Sequence, residues 1–118
     1  MRILTGVFAV LLILFAVAQY NDPDALYWAA IYGVAAILSA YAALRPERFA
    51  APALRGVLTA ALVLSVVGVA WYWPKTAQWW RVDVWWNTET AREGMGMMVV
   101  AVALLIAWWT VRLGGRVR

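Results

Sequence analysis

Gly56 to Trp73 reads GVLTAALVLSVVGVAWYW, an uncharged stretch between Arg55 and Lys75 that Pro74 closes. At 1.5 Å per residue, a helix of about 18 residues nearly covers the roughly 30 Å of a bilayer's hydrocarbon core. In lipid every backbone polar group must bond internally, so this stretch is expected to be a transmembrane helix. Three further stretches repeat the pattern: Ile3 to Asn21, Ala25 to Leu44 and Gly94 to Val111, each bounded by charged residues. The strict alternation of polar and apolar residues that a membrane barrel needs is absent.

Composition points the same way. Of 118 residues, 66% are hydrophobic and only 14% charged. Soluble domains run at about half apolar and a quarter charged. The chain is short enough for a single domain. We expect an all-α, four-helix transmembrane bundle of up-down-up-down connectivity, one membrane domain over 1–118. Its helices are expected at about 3–20, 25–44, 55–73 and 94–112, with a Trp-rich outer segment at 74–93. Trp79, Val82 and Trp86 fall at helical spacing, so part of that segment is expected to lie as a helix in the headgroup layer.

The first span has a second reading as a signal peptide, with Ala16-Val17-Ala18 as a small-x-small cleavage site. Its apolar run is long for that purpose and only Arg2 precedes it, so a retained helix is expected.

Lysines and arginines set the orientation. Arg2, Arg45, Arg48, Arg55, Arg112, Arg116 and Arg118 flank one side; Lys75, Arg81 and Arg92 flank the other. Seven against three places the first set, and both termini, in the cytoplasm. The acids are the mirror image: Glu47 inside, and Asp22, Asp24, Asp83, Glu89 and Glu93 outside. The Arg- and Ala-rich, nearly Lys-free composition hints at a GC-rich bacterial genome and so at an inner membrane.

Despite a net charge of +4, the basic residues sit at the ends of apolar runs and form no stripe, so no nucleic acid partner is expected. The chain has no cysteine and no histidine. That excludes disulfides, thiolate metal sites, His or Cys haem ligation and any His base within the chain. No catalytic residue is assigned, no cofactor is expected, and the reading is non-enzymatic.

Seven of the nine tryptophans lie toward the outer side, with Tyr20, Tyr27 and Tyr72. An interfacial aromatic belt is the plain explanation; a lipid-like or aromatic ligand held by Trp28, Tyr32, Trp79, Trp80, Trp85 and Trp86 is the sharper one. The same side carries a candidate polar cluster of Asn21, Asp22, Asp24, Glu89, Arg92 and Glu93. Capping accounts for much of it: Asp22 as N-cap, Pro23 at the first helical position, Asp24 in the first turn, and a Thr90–Glu93 capping box. Asp22, Asp24, Glu89 and Glu93 also make a weak candidate set for a divalent cation, which takes oxygen ligands. Capping does not explain Arg92, a cation at a helix N-terminus; a charged hydrogen bond to Asp22 or Asp24 is expected.

Small residues mark expected helix contacts: Ala29, Gly33, Ala36 and Ala40, then Gly56 with Ala60, and Ala61, Ser65 and Gly68. Bundle packing is their first reading and homodimerisation the second. The expected partners are therefore the lipid bilayer, a lipid or membrane-protein partner at the outer rim, and a second copy.

Gln19-Tyr20-Asn21-Asp22-Pro23-Asp24-Ala25, followed by Trp28 and Tyr32, resembles the Q-x-N-D-P-D-A turn and W-x-x-x-Y of the transmembrane protein 220 family. Leu44-Arg45-Pro46-Glu47 is similar to that family's N-P-E turn, with Arg45 in place of Asn. Glu89, Arg92, Glu93 and Gly96 resemble its E-x-x-R-E-x-x-G start of the last helix. The resemblance covers nearly the whole chain. It implies a small multi-pass membrane protein and carries over no activity.

Overall fold

A computed structural model describes residues 1–21, 24–73, 75 and 78–117, with side chains except at 21, 85–87, 89–90 and 114–117. Among the described residues the regular structure is all helical: α1 (Arg2–Ala18), α2 (Ala25–Leu44), α3 (Pro52–Trp71), α4 (Val82–Asn87) and α5 (Glu89–Val117), with 3-10 turns at Gln19–Asn21 and Pro46–Ala50. Three of these hold stretches long and apolar enough to cross a membrane: Ala25–Leu44, Pro52–Trp71 and Ala91–Leu113. Helix α1, with 17 residues, is also apolar but shorter.

Local chemistry moves several helix ends from where charge alone placed them. Helix α3 starts at Pro52, ahead of the expected 55, because proline suits the first turn and costs no bond there. Arg55 therefore lies inside the helix. Helix α5 starts at Glu89, ahead of the expected 94. Extended Thr88 precedes it, and the Thr88 carbonyl accepts from the Arg92 N–H at 3.1 Å. Thr88 thus occupies the capping position and Thr90 lies within the helix, so the Thr90–Glu93 box is corrected. At α2 the N-cap is Asp24, whose carbonyl accepts from the Trp28 N–H at 3.1 Å, in place of the expected Asp22. Asp22 and Pro23 lie outside the described residues. In the Trp-rich segment, Val82 opens α4, whereas Trp79 belongs to the preceding turn.

Helix α5 is the centre of the fold. It packs on α1, α2 and α3, while α3 packs on α5 and on the 3-10 turn at Pro46–Ala50. Burial follows this arrangement. Only 11% of the most apolar stretch of α3 is buried, against 39% for α2 and 50% for α5. Small side chains fill the interior on both α2 and α5: Ala35, Ala36 and Ala42 on one, Ala91, Ala103 and Ala107 on the other, all buried. On α3, Ser65 is buried and Gly68 faces Met97 of α5, whereas Gly56 and Ala60 are exposed. The two small-residue stripes of α3 thus have different environments.

Polar bonds fix the register. The Arg2 guanidinium donates to the carbonyls of Ala43 (2.6 Å) and Leu44 (3.2 Å), so the start of α1 lies beside the end of α2 and caps its unpaired carbonyls. Buried Thr5 and Thr110 meet hydroxyl to hydroxyl at 2.7 Å, joining the start of α1 to the end of α5. Each also lies near a carbonyl one turn back, Met1 at 2.9 Å and Ile106 at 2.8 Å. Two hydroxyls own two protons, so at any moment two of these three bonds are donated. Ser39 of α2, fully buried, has no bonding partner among the described residues.

Candidate functional site

At the opposite end from these bonds, α2, the last residues of α3 and the start of α5 converge. The sequence fills this end with large rings, and the structure sorts them into an inner and an outer set. Trp28 is 2% exposed and Tyr32 is 4% exposed. Trp28 packs edge-on against Tyr72 at 5.1 Å between centroids and against Tyr27 at 5.5 Å. It also meets Tyr32 at 5.9 Å, and Tyr32 meets Phe15 of α1 at 5.5 Å. Rings in offset and edge contact at these separations attract one another beyond simple area burial. Trp28 and Tyr32 are therefore framework beneath the rim. Trp79 is half-buried, Trp80 is exposed, and Trp73, Trp79 and Trp80 form a chain of edge contacts at 5.7 and 5.6 Å. Trp85 and Trp86 have side chains outside the described residues.

The Tyr32 hydroxyl lies directly against Gly96 of α5. A Cβ at position 96 would overlap that oxygen and come within 3.0 Å of the ring's Cζ. Gly96 is what admits the phenol between α2 and α5. Here two separate motifs of the sequence, Trp28-x-x-x-Tyr32 and Glu89-x-x-Arg92-Glu93-x-x-Gly96, meet in space.

Above the rings sits a polar layer. Tyr27 and Tyr72 are hydrogen-bonded through their hydroxyls at 3.0 Å. Tyr72, the residue capping α3 beyond its apolar span, has its phenol pushed up to about 12. The causes, in order, are the bond with Tyr27, burial, and the negative charges of Tyr27, Glu93 and Asp24. Asp24 and Glu93 therefore both act on one phenol, although they belong to different helices. Asp24 and Arg92 are exposed and Glu93 is half-buried; neither Arg92 nor Glu93 is free. The pairing expected for Arg92 turns in part on Asp22, outside the described residues, as are the side chains of Asn21 and Glu89. No group of three acids lies together among the described residues.

The segment leading into α4 is ordered by Arg81. Its guanidinium donates to Gln78 Oε1 at 2.8 Å and to Asp83 Oδ2 at 3.1 Å. Gln78 sits in the left-handed region, with φ of 54°.

Sequence reading grouped Tyr27 and Tyr72 with the belt and missed their bond. It also passed over Thr5 and Thr110. Hydroxyls isolated in apolar spans were the available signal, because such groups bond across helices in lipid.

The model of a known family, "transmembrane family 220, helix", matches residues 11–109. That range takes in α2, α3, the polar layer and most of α5. No curated protein and no solved structure matches the chain.

Proposed function

Since the chain belongs to transmembrane family 220, we propose that it is a non-enzymatic membrane protein crossing the bilayer four times, with both termini cytoplasmic. We assign its aromatic and polar rim to an external ligand or membrane partner. The fourth crossing is α1. Its 17 residues give about 26 Å of helix, close to the hydrocarbon thickness of thinner bilayers. The Arg2 and Thr5 bonds lay it antiparallel to α2 and α5. The positive-inside bias supports the orientation, and the arginine-rich composition supports a bacterial inner membrane.

One observation carries the functional reading. Buried Trp28 and Tyr32 form a fixed floor, and above it Trp71, Trp73, Trp80, Asp24 and Arg92 are left exposed on one end of the molecule. Rigid aromatic and arginine side chains on a fixed support are what recognition surfaces use. A photo-crosslinking residue at position 80 in native membranes should capture one discrete species. The same probe at Ile37, an exposed position on α2, should capture only lipid. Identical products at both sites would reduce the rim to an aromatic belt.

A second reading rests on Asp24 and Glu93 acting on the same phenol. With Asp22 and Glu89, they would hold a divalent cation through carboxylate oxygens. Millimolar Ca²⁺ or Mg²⁺ should then raise the melting temperature, and Asp24→Asn should abolish the rise. No shift at about 10 mM of either ion leaves these acids to capping.

A further inference from the structure

We propose that the exposed flank of α3, with Arg48 and Arg55 at its foot, is a binding surface for an anionic phospholipid. The cations at that end are not equivalent. Arg2 is committed to the carbonyls of α2. Arg45 pairs with Glu47 at 3.5 Å, and Glu47 is the only carboxylate side chain on that side of the sequence. Arg112 stacks on Trp108, 4.8 Å from the ring centroid. Arg48 and Arg55 are exposed, and among the described residues neither guanidinium makes an ion pair or hydrogen bond.

Arg48 is also held in place. It belongs to the 3-10 turn at Pro46–Ala50, whose Phe49 is 1% exposed and packs edge-on against Tyr41 at 5.5 Å. The Arg48 N–H donates to the Arg45 carbonyl, and its own carbonyl accepts from Ala51. This turn packs against both α3 and α5. The anchored Phe49 therefore presents the neighbouring arginine from a fixed base. Arg55, one turn into α3, continues the charge toward the apolar flank, where Val57, Val63, Leu64, Val66 and Val67 are all exposed. A headgroup phosphate meets the two guanidinium groups and the acyl chains lie along the valines and leucine.

A second copy is the competing occupant, through exposed Gly56 and Ala60. In a membrane, two copies pairing through α3 are related by an axis along the bilayer normal. Their Arg55 residues would then stand at one level, flanking the seam on either side. That repulsion disfavours a dimer there and favours a negatively charged lipid.

The test is native mass spectrometry of the full chain, delipidated in neutral detergent and given phosphatidylglycerol and phosphatidylcholine in equal amounts. An arginine near an anionic headgroup is worth roughly fivefold, so two predict about thirtyfold preference for phosphatidylglycerol. Arg48→Gln with Arg55→Gln should erase the preference. Lys75→Gln, at the far end, should keep it, and inorganic phosphate should not compete. Should the double variant fail to fold, the wild-type protein still decides: its thermal stabilisation by phosphatidylglycerol must weaken with added salt. The proposal is overturned by equal retention of both lipids, by displacement with phosphate alone, by salt-insensitive stabilisation, or by a lipid-free dimer.

Discussion

Gly96→Ala puts one methyl group where the structure has the Tyr32 hydroxyl. In an ordinary helix interior this change is favourable by about 1 kcal/mol, because glycine is the poorer helix former. Here the new Cβ would overlap the phenol oxygen. The ring has little freedom to yield, with Trp28 on one side and Phe15 on the other and only 4% of the residue exposed. Overpacking of this kind costs about 1–3 kcal/mol, and the rigid surroundings select the upper part of that range. Setting the helix gain against it leaves a net loss of about 2 kcal/mol. Tyr32→Phe removes the oxygen and leaves Cζ at 3.0 Å, which a shift of a few tenths of an ångström relieves. In that background Gly96→Ala should cost about 0–1 kcal/mol. A double-mutant cycle, read by tryptophan fluorescence during denaturation in mild detergent, should give a coupling of about 1–2 kcal/mol. Unchanged or increased stability of Gly96→Ala, or additive losses in the cycle, would refute the close approach of α2 and α5 at this point.

Other substitutions probe the remaining polar groups. Thr5→Val and Thr110→Val should each destabilise by about 0.5–1.5 kcal/mol and should be coupled in a cycle, as interhelical hydroxyl bonds in membranes are; purely additive losses would mean the two do not bond. Ser39→Ala should be neutral or stabilising by up to about 1 kcal/mol, because it deletes a buried hydroxyl with no partner among the described residues; a clear loss of stability would show that Ser39 has a partner. The Tyr72 phenol favours its neutral form in the folded protein, so its contribution is present below pH about 10 and is lost as pH rises from 10 to about 12. Tyr27→Phe should return the Tyr72 titration toward 10, followed by absorbance at 295 nm against a Tyr72→Phe control; Tyr72 ionising near 10 in the wild type would contradict the reading.

How much of this was legible in the sequence depended on what each signal measured. Length and apolarity between charges locate helices in lipid, so the long hydrophobic stretches were readable. Charge marks where a chain leaves the hydrocarbon, which is a different place from where a helix starts. That is why Arg55, Arg92 and Glu93 lie inside α3 and α5, and why Pro52 and Thr88 were better guides to the helix starts. The peripheral position of α3 was hidden, because its composition is as apolar as that of α5. What separates them is the partner set of α5, a tertiary property. At the rim, Asp24 and Glu93 of the expected polar cluster both lie near enough to Tyr72 to influence its phenol. Sequence reading counted Trp28 and Tyr32 with the surface rings, since nothing local distinguishes a ring facing headgroups from one wedged under them. The deciding neighbour, Gly96, lies more than sixty residues away.

Sidedness underlies the whole account, and the absence of cysteine makes it directly measurable. Single cysteines replacing Asp83, Glu47 and Arg116 would be treated in intact cells with a thiol reagent that cannot cross the membrane. Four crossings with both termini inside predict labelling at position 83 and none at 47 or 116 until the membrane is opened. Labelling at 47 and 116 but not at 83 would invert the protein. Labelling of a cysteine placed at the N-terminus of the intact chain, with 47 still protected, would remove α1 from the membrane.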